Sequence, residues 1–279
     1  MSNTLHSDAR PIEIGGNGAV VAEQHGNVLL VTLNRPDARN AVNLDLTIGV
    51  GEALDYAESA SDVWVVIITG SGDRAFCAGA DLKEAALNRT ATGIADDRMR
   101  RWGFAGYTSH AISKPTIAAV NGFALGGGTE IVLASDLAIA VEEAEFGLPE
   151  VKRGIYAGAG GAFRLPRQIP PKVAMEAILT GLPISAARAL ELGLVNRVVP
   201  RDKLLDAAFA LADAICQNAP LSVQASKRIA RGITDEHIPH EDLDWSRSAG
   251  EAPRLMASED AREGLAAFAE KRAPKWQGK

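Results

Sequence analysis

A chain of 279 residues, 47% hydrophobic and 23% charged, falls within the range of globular proteins and holds enough apolar mass for a substantial core. Its formal charge of −6 and aromatic content of 5% supply neither the basic patch nor the stacking rings of a nucleic-acid binder, so the expected partner is a small molecule. The two cysteines, Cys77 and Cys216, lie too far apart in sequence for a zinc ribbon and suit a reducing compartment.

The N-terminal stretch MSNTLHSDARP lacks the basic flank and apolar run of a secretory signal, so residues 1–15 read as a flexible extension of a cytoplasmic protein. VVAEQ and VLLVTL around His25-Gly26-Asn27 read as a hairpin. After the loop NRPDARNAVN, the segment 44–60 has helical spacing at Leu44, Ile48, Leu54 and Ala57, and VWVVIIT (63–69) reads as a strand buried on both faces. The pattern resumes with TIAAV (116–120), a glycine turn, a helix over 127–134, DLAIA (136–140) and RVV (197–199). Interleaved strands and helices predict an α/β fold with a largely parallel sheet. The stretch 116–141 is apolar, but Asn121, Glu130 and Asp136 interrupt it, which argues against a lipid-spanning helix. From Pro171 helical patterns dominate, with Ser185 and Ser258 as N-caps. His237, His240 and Glu241 share the Pro-containing stretch HIPHED, which reads as a solvated segment and not as a metal site.

Two glycine turns carry the chemistry. In GSGDRAFCAGADLKE (70–84), Gly70-x-Gly72-x-x-Ala75 overlaps a dinucleotide-binding pattern, yet small residues continue through Ala80 where such a turn should open into a helix. A tight loop and a ligand-facing amide loop are equally good readings of this stretch. In VNGFALGGGTEIVLASD (120–136), Gly126-Gly127-Gly128 leaves bare amides at a helix N-terminus, where they and the helix dipole favour negative charge. Glu130 follows one turn later among Ile131, Val132 and Leu133, and a carboxylate on so apolar a helix calls for a function or an ion pair. Glu150, after Pro149, would alone read as a solvated loop residue; beside Glu130 and two amide turns it suggests a paired-carboxylate acid–base site. Phosphate-loop and serine-hydrolase patterns are missing from the sequence.

The blocks AFCAGADLKE, KPTIAAVNGFALGGGTE, FGLPEVKRGI and GAGGAFRLPRQI, in this order, resemble the enoyl-CoA hydratase/isomerase (crotonase) superfamily. Gly103-Phe104-Ala105-Gly106 and SEDAREGLAAFAEKRAPKW look most like its bacterial carnitinyl-CoA dehydratase subgroup. The resemblance implies a ClpP-like spiral of ββα turns over 1–199 and a helical trimerisation subdomain over 200–279, giving a homotrimer or a pair of trimers. It implies an acyl-CoA thioester substrate, with coenzyme A part of that substrate and no metal or redox cofactor. The amides of Ala80 and Gly127 would form an oxyanion hole. Ala38, Arg39, Ala78, Asp81, Leu82, Gly126, Pro149 and Gly158 would line the thioester site, and Phe268 and Lys271 would reach coenzyme A. Both glutamate positions used by the family's hydratases are filled, Glu130 for water and Glu150 for the α proton. Tyr156-Ala157 departs from the Pro-Gly common in the family, which leaves the acyl pocket open. Across 84–112, Trp102, Phe104 and Tyr107 read equally well as scattered aromatics on an exposed helix or as the wall of a pocket for a short acyl group, whose aromatic faces would suit a quaternary ammonium. An isomerase, a catalytically idle binding protein of the same fold and a nicotinamide oxidoreductase stand as alternatives.

Overall fold

The computed structural model describes residues 9–82 and 97–279. Its larger sheet has seven strands in the order β1-β2-β3-β4-β6-β8-β11: Arg10–Ile12, Val20–His25, Val28–Leu33, Val65–Gly70, Thr116–Val120, Leu137–Val141 and Arg197–Val199. Strands β3, β4, β6, β8 and β11 are parallel and β1 to β3 are antiparallel. A second sheet of four strands runs β10-β9-β7-β5: Ile184–Ser185, Glu145–Gly147, Phe123–Leu125 and Ala75–Cys77. The chain therefore sends one strand to each sheet in turn, β4 then β5, β6 then β7, β8 then β9, as a ββα spiral requires.

Local chemistry explains these elements. The β-branched run at β4 is buried at every position, as a central parallel strand must be. The helix Leu44–Ser59 starts where the Asn43 side chain accepts the Leu46 N–H, and Ser185 and Ser258 cap their helices in the same way. Between β4 and β5 the chain turns at Gly72 and re-enters a strand at Ala75, not a helix, so the dinucleotide-binding reading fails on geometry. Residues 10–12, expected within a flexible extension, form an edge strand instead, because Arg10 reaches from β1 to Gln24 and Tyr56. Residues 1–8 lie outside the described part.

The helix Leu204–Cys216 buries Leu204, Ala208, Phe209 and Ala212 and packs on β4, β6 and β8, so the segment after 199 begins by covering the larger sheet. The helices Pro220–Arg231, Asp242–Met256 and Glu259–Ala269 follow. Among the described residues no helix is long and apolar enough to cross a membrane.

The last helix touches the Glu150 turn through glycines. A Cβ on Gly264 would meet the carbonyl carbon and oxygen of Arg153 at 2.3 Å, and one on Gly154 would meet the Asp260 carbonyl oxygen at 2.4 Å. Gly264→Ala is therefore expected to cost about 1–3 kcal/mol through overpacking against backbone. The measurement is the urea midpoint beside that of Gly250→Ala, a position with open space around its missing side chain; equal midpoints would contradict the contact.

Candidate active site

The second sheet aligns three strand ends. Cys77 pairs with Ala124 and Ala124 with Phe146, all in parallel. Three residues beyond Cys77 is Ala80, three beyond Ala124 is Gly127, and four beyond Phe146 is Glu150, so the parallel strands deliver these residues to one edge of the sheet. Gly79 sits at φ +86, and a Cβ there would fall 3.0 Å from the Leu125 carbonyl oxygen and 3.2 Å from the Gly127 nitrogen, so the two glycine loops touch.

The loop after Pro36 fixes the Ala80 amide. Val42 donates to the Gly79 carbonyl at 2.8 Å and Asp81 donates to the Val42 carbonyl at 2.9 Å, a parallel bridge that leaves the Ala80 N–H facing the other way. Ala78 donates to the Arg39 carbonyl at 3.1 Å, and Arg35 pairs with Asp81 at 3.0 Å. Buried Asn40 clips this loop down: its side chain accepts from the Arg35 amide at 3.0 Å and donates to the carbonyls of Ser71 and Ala75 at 3.0 and 2.9 Å. Ala38, Arg39, Ala78, Asp81 and Leu82 thus belong to one loop system beside Ala80. Gly127 opens the helix Gly127–Ala134, so its amide is one of the first four that lack an intrahelical acceptor, at the positive end of the dipole. The ring of Phe104 occupies the space where a Gly127 side chain would go, 2.1 Å from its ideal Cβ.

Glu130 is buried one turn into this helix, and Gly161 donates its amide to Oε1 at 2.8 Å, with the Ala159 amide as a second donor. Burial pushes its carboxyl up to about 8, and the charge of Glu150 adds to the rise while both amides and Arg164 oppose it. Glu150 sits in the short turn Pro149–Arg153, started by Pro149 and closed by Gly154 at φ 67. Burial raises its carboxyl to about 7, and Oε2 is buried with no hydrogen-bond partner among the described residues. Its Oε1 would lie 2.9 Å from a Cβ on Gly126, and Gly126 holds a φ of +56 that favours glycine, so the carboxylate stands directly against this glycine loop. Two carboxyls with raised proton affinities, beside the Ala80 and Gly127 amides, make a device for moving protons next to a developing oxyanion.

Sequence reasoning missed Thr129. Its buried hydroxyl accepts the Gly147 N–H at 2.9 Å and lies within donating distance of the carbonyls of Ala124 at 2.5 Å and Gly147 at 2.9 Å. It joins β7 to β9, and the signal was a hydroxyl directly beside three glycines. Sequence reasoning also missed the amides at 159 and 161, although the glycines of GAGG pointed to a backbone-lined turn.

The aromatic wall is corrected in part. Trp102 is 1% exposed, stacked on His110 and donating to Asp55, and Tyr107 is 4% exposed and bonded to Ser135, so both rings are core residues. Of the three only Phe104 reaches the site; residues 84–96 of that segment lie outside the described part. Gly158 lies against the Tyr156 ring, whose hydroxyl donates to the Ser248 carbonyl. The Phe268 ring carries the Arg153 guanidinium at 4.3 Å, and Lys271 is exposed just beyond the last helix. His237 lies against Asp242 and Glu241 against Arg164, with no group of three metal-ligating side chains among the described residues.

The family model for Enoyl-CoA hydratase/isomerase matches residues 23–279. The chain belongs to the enoyl-CoA hydratase/isomerase family. A carnitinyl-CoA dehydratase of Proteus mirabilis is 43% identical over 257 residues, which cover 91% of this chain and 96% of that one. The crystal structure of a carnitinyl-CoA hydratase from Mycobacterium avium superposes with a TM-score of 0.89 at 56% identity, covering 94% and 99% of the two chains. That of an enoyl-CoA hydratase from Mycobacterium tuberculosis gives a TM-score of 0.71 at 42% identity, covering 93% and 99%.

Thr129→Val keeps the shape but leaves the Gly147 N–H unpaired, which costs about 1–3 kcal/mol; a lower thermal midpoint, and turnover lost further than the stability change explains, are the expected readings. The two carboxyls also make stability depend on pH. Their folded proton affinities, about 8 and about 7, exceed the ordinary carboxyl value of 4.5, so the folded state binds more protons than the unfolded state between these limits. The stability they contribute is complete below about 4.5 and is lost as the pH rises through 7 and 8. Glu130→Gln should therefore melt higher than wild type at pH 8, with the gap closing towards pH 5; a constant gap would refute the burial argument.

Proposed function

We propose that this protein is a hydro-lyase that reversibly adds water across the 2,3 double bond of an enoyl-CoA thioester, with Glu130 and Glu150 as its acid–base pair. The observation that carries the reading is the convergence of two carboxyls withdrawn from water, one with an oxygen that has no hydrogen-bond partner among the described residues, on the glycine loops that carry the Ala80 and Gly127 amides. The amides of Ala80 and Gly127 receive the thioester oxygen and hold the negative charge as the enolate develops. In hydration, one carboxylate takes a proton from water as its oxygen bonds to Cβ, and the other carboxyl gives its proton to Cα. Dehydration reverses this: Glu150 removes the α proton, and Glu130 protonates the departing hydroxyl. Burial raises the proton affinity of both carboxyls, so the pair can hold a proton near neutral pH, as a site that both donates and accepts protons requires.

The preferred acyl group is short, and its γ carbon carries a trimethylammonium group, as in carnitinyl-CoA. Supporting this are the higher identity and TM-score to the carnitinyl-CoA structure than to the enoyl-CoA hydratase structure. Phe104, whose ring stands against Gly127, supplies an aromatic beside the site of the kind that attracts such a cation. Catalysis needs no metal or redox cofactor, since proton transfer and amide dipoles supply the whole reaction. A trimer, or a pair of trimers, is the assembly that the family resemblance suggests.

Glu130→Gln and Glu150→Gln should each lower turnover by about 10²- to 10⁴-fold in a folded protein, with the pH–rate profile belonging to the pair. Gly127→Pro, which deletes the amide hydrogen, should cost about 10²-fold or more, with circular dichroism checking the fold. Rates for carnitinyl-CoA, 3-hydroxybutyryl-CoA and longer hydroxyacyl-CoAs decide the substrate. Equal rates with and without the trimethylammonium group would remove the carnitinyl reading, and a maximum at long chains would remove the short-chain one.

A further inference from the structure

The turn that grips Glu130 rests on a buried ion pair. Arg164, one turn into the helix Gly161–Gln168, is 3% exposed, and its Nε and Nη2 donate to the two carboxylate oxygens of Glu241 at 3.0 and 2.6 Å. Its Nη1 donates to the Thr108 carbonyl at 2.7 Å. The guanidinium lies beneath the Glu130 turn, because a Cβ on Gly160, at φ +108, would come within 3.0 Å of Nη1. Gly160 stands between the two residues whose amides hold Glu130. Thr108 ends the turn that seats Phe104 on Gly127: its amide donates to the Phe104 carbonyl at 3.1 Å, and Ala105 within that turn holds a left-handed φ of 59. The rings of Phe163 and Trp245 flank the guanidinium at 5.5 and 5.3 Å.

We propose that Arg164, locked by Glu241, is a positioning residue for catalysis, holding the 159–161 amides on Glu130 and the Phe104 ring on Gly127 in a single mutual geometry. The forked guanidinium suits this: two nitrogens are fixed by the carboxylate, leaving the third aimed at a backbone carbonyl, an arrangement that an ammonium does not reproduce. Its charge also acts on Glu130. The charged and titratable groups acting on Glu130 are Glu150, the Cys77 thiol from β5 and Arg164; Arg231 and the Trp245 side chain act on Glu241. Arg164 favours the ionised form of Glu130, so removing it raises the proton affinity of that carboxyl.

The inference rests on the acid–base role proposed above for Glu130, so Glu130→Gln is assayed in parallel. The decisive variant is the double replacement Arg164→Met with Glu241→Leu, because exchanging a buried ion pair for apolar groups keeps the fold better than stripping one partner. With fold checked by circular dichroism, kcat for the preferred hydroxyacyl-CoA is expected to fall about tenfold or more, as a displaced catalytic group requires. KM is expected to change little, and the alkaline limb of the pH–rate profile for dehydration, where Glu130 must carry its proton, to move to higher pH. Arg164→Lys, which retains the charge without the fork, should lose kcat while leaving the alkaline limb nearly in place. A wild-type kcat in the folded double variant overturns the proposal; so does a lower kcat with an unmoved alkaline limb, which reduces Arg164 to a structural residue. If the double variant does not fold, Arg164→Lys decides, and a wild-type kcat there overturns the proposal. If Glu130→Gln is itself fully active, the acid–base reading fails whatever Arg164 does.

Discussion

The hydroxyl of Thr129 sits where β7, β9 and the Glu130 helix meet, and its bonds to Gly147 and Ala124 keep two strand ends level. A shift along either strand would carry Gly127 or Glu150 away by a residue spacing, roughly 3.3 Å in a strand. Hydrogen bonds of about that length to a thioester oxygen tolerate no such slip. Gly79 answers to the same constraint, since a methyl group there would press on the Leu125 carbonyl and the Gly127 nitrogen and push the two glycine loops apart. Small residues here serve distance, and the larger sheet behind them supplies the stiffness.

Electrostatics at the site work against stability. Two carboxyls are withdrawn from water within reach of one another, and neither has a basic side chain bonded directly to it among the described residues. Backbone amides grip Glu130 and draw its proton affinity down, but burial and the charge of Glu150 outweigh them and keep it high. Arg164 is near enough to temper the pair, yet its fork is committed to Glu241. The arrangement keeps the carboxyls reactive near neutral pH, where a free glutamate is almost wholly ionised.

Much of this was legible in the sequence, for identifiable reasons. β4, β6 and the Glu130 helix announce themselves through β-branched runs and a glycine turn, and their boundaries fall within two residues of expectation. Glu130 stood out because a lone carboxylate on an apolar helix is conspicuous. Glu150 did not stand out by itself, because its carboxyl is set against the Gly126 loop by the pairing of two strands, which no local pattern around it encodes. The same distance hid Arg164 and Glu241, whose pairing no local pattern encodes. Trp102 and Tyr107 misled for a related reason: a ring in a polar stretch has no periodicity to show which way it faces, and both turned inward.

The spread of the site along the chain has a consequence for folding. Its parts run from Arg35, through the loops at 79 and 126, to Gly264 on the last helix, so almost every contact that shapes it joins residues far apart in sequence. Chains dominated by such pairings fold slowly, because loop closure costs entropy before the distant contacts repay it. A nascent or partly refolded chain can therefore hold its early hairpin and first helix with no trace of the amide and carboxyl geometry. The contact of the final helix with the Glu150 turn means that the full geometry draws on both ends of the described chain.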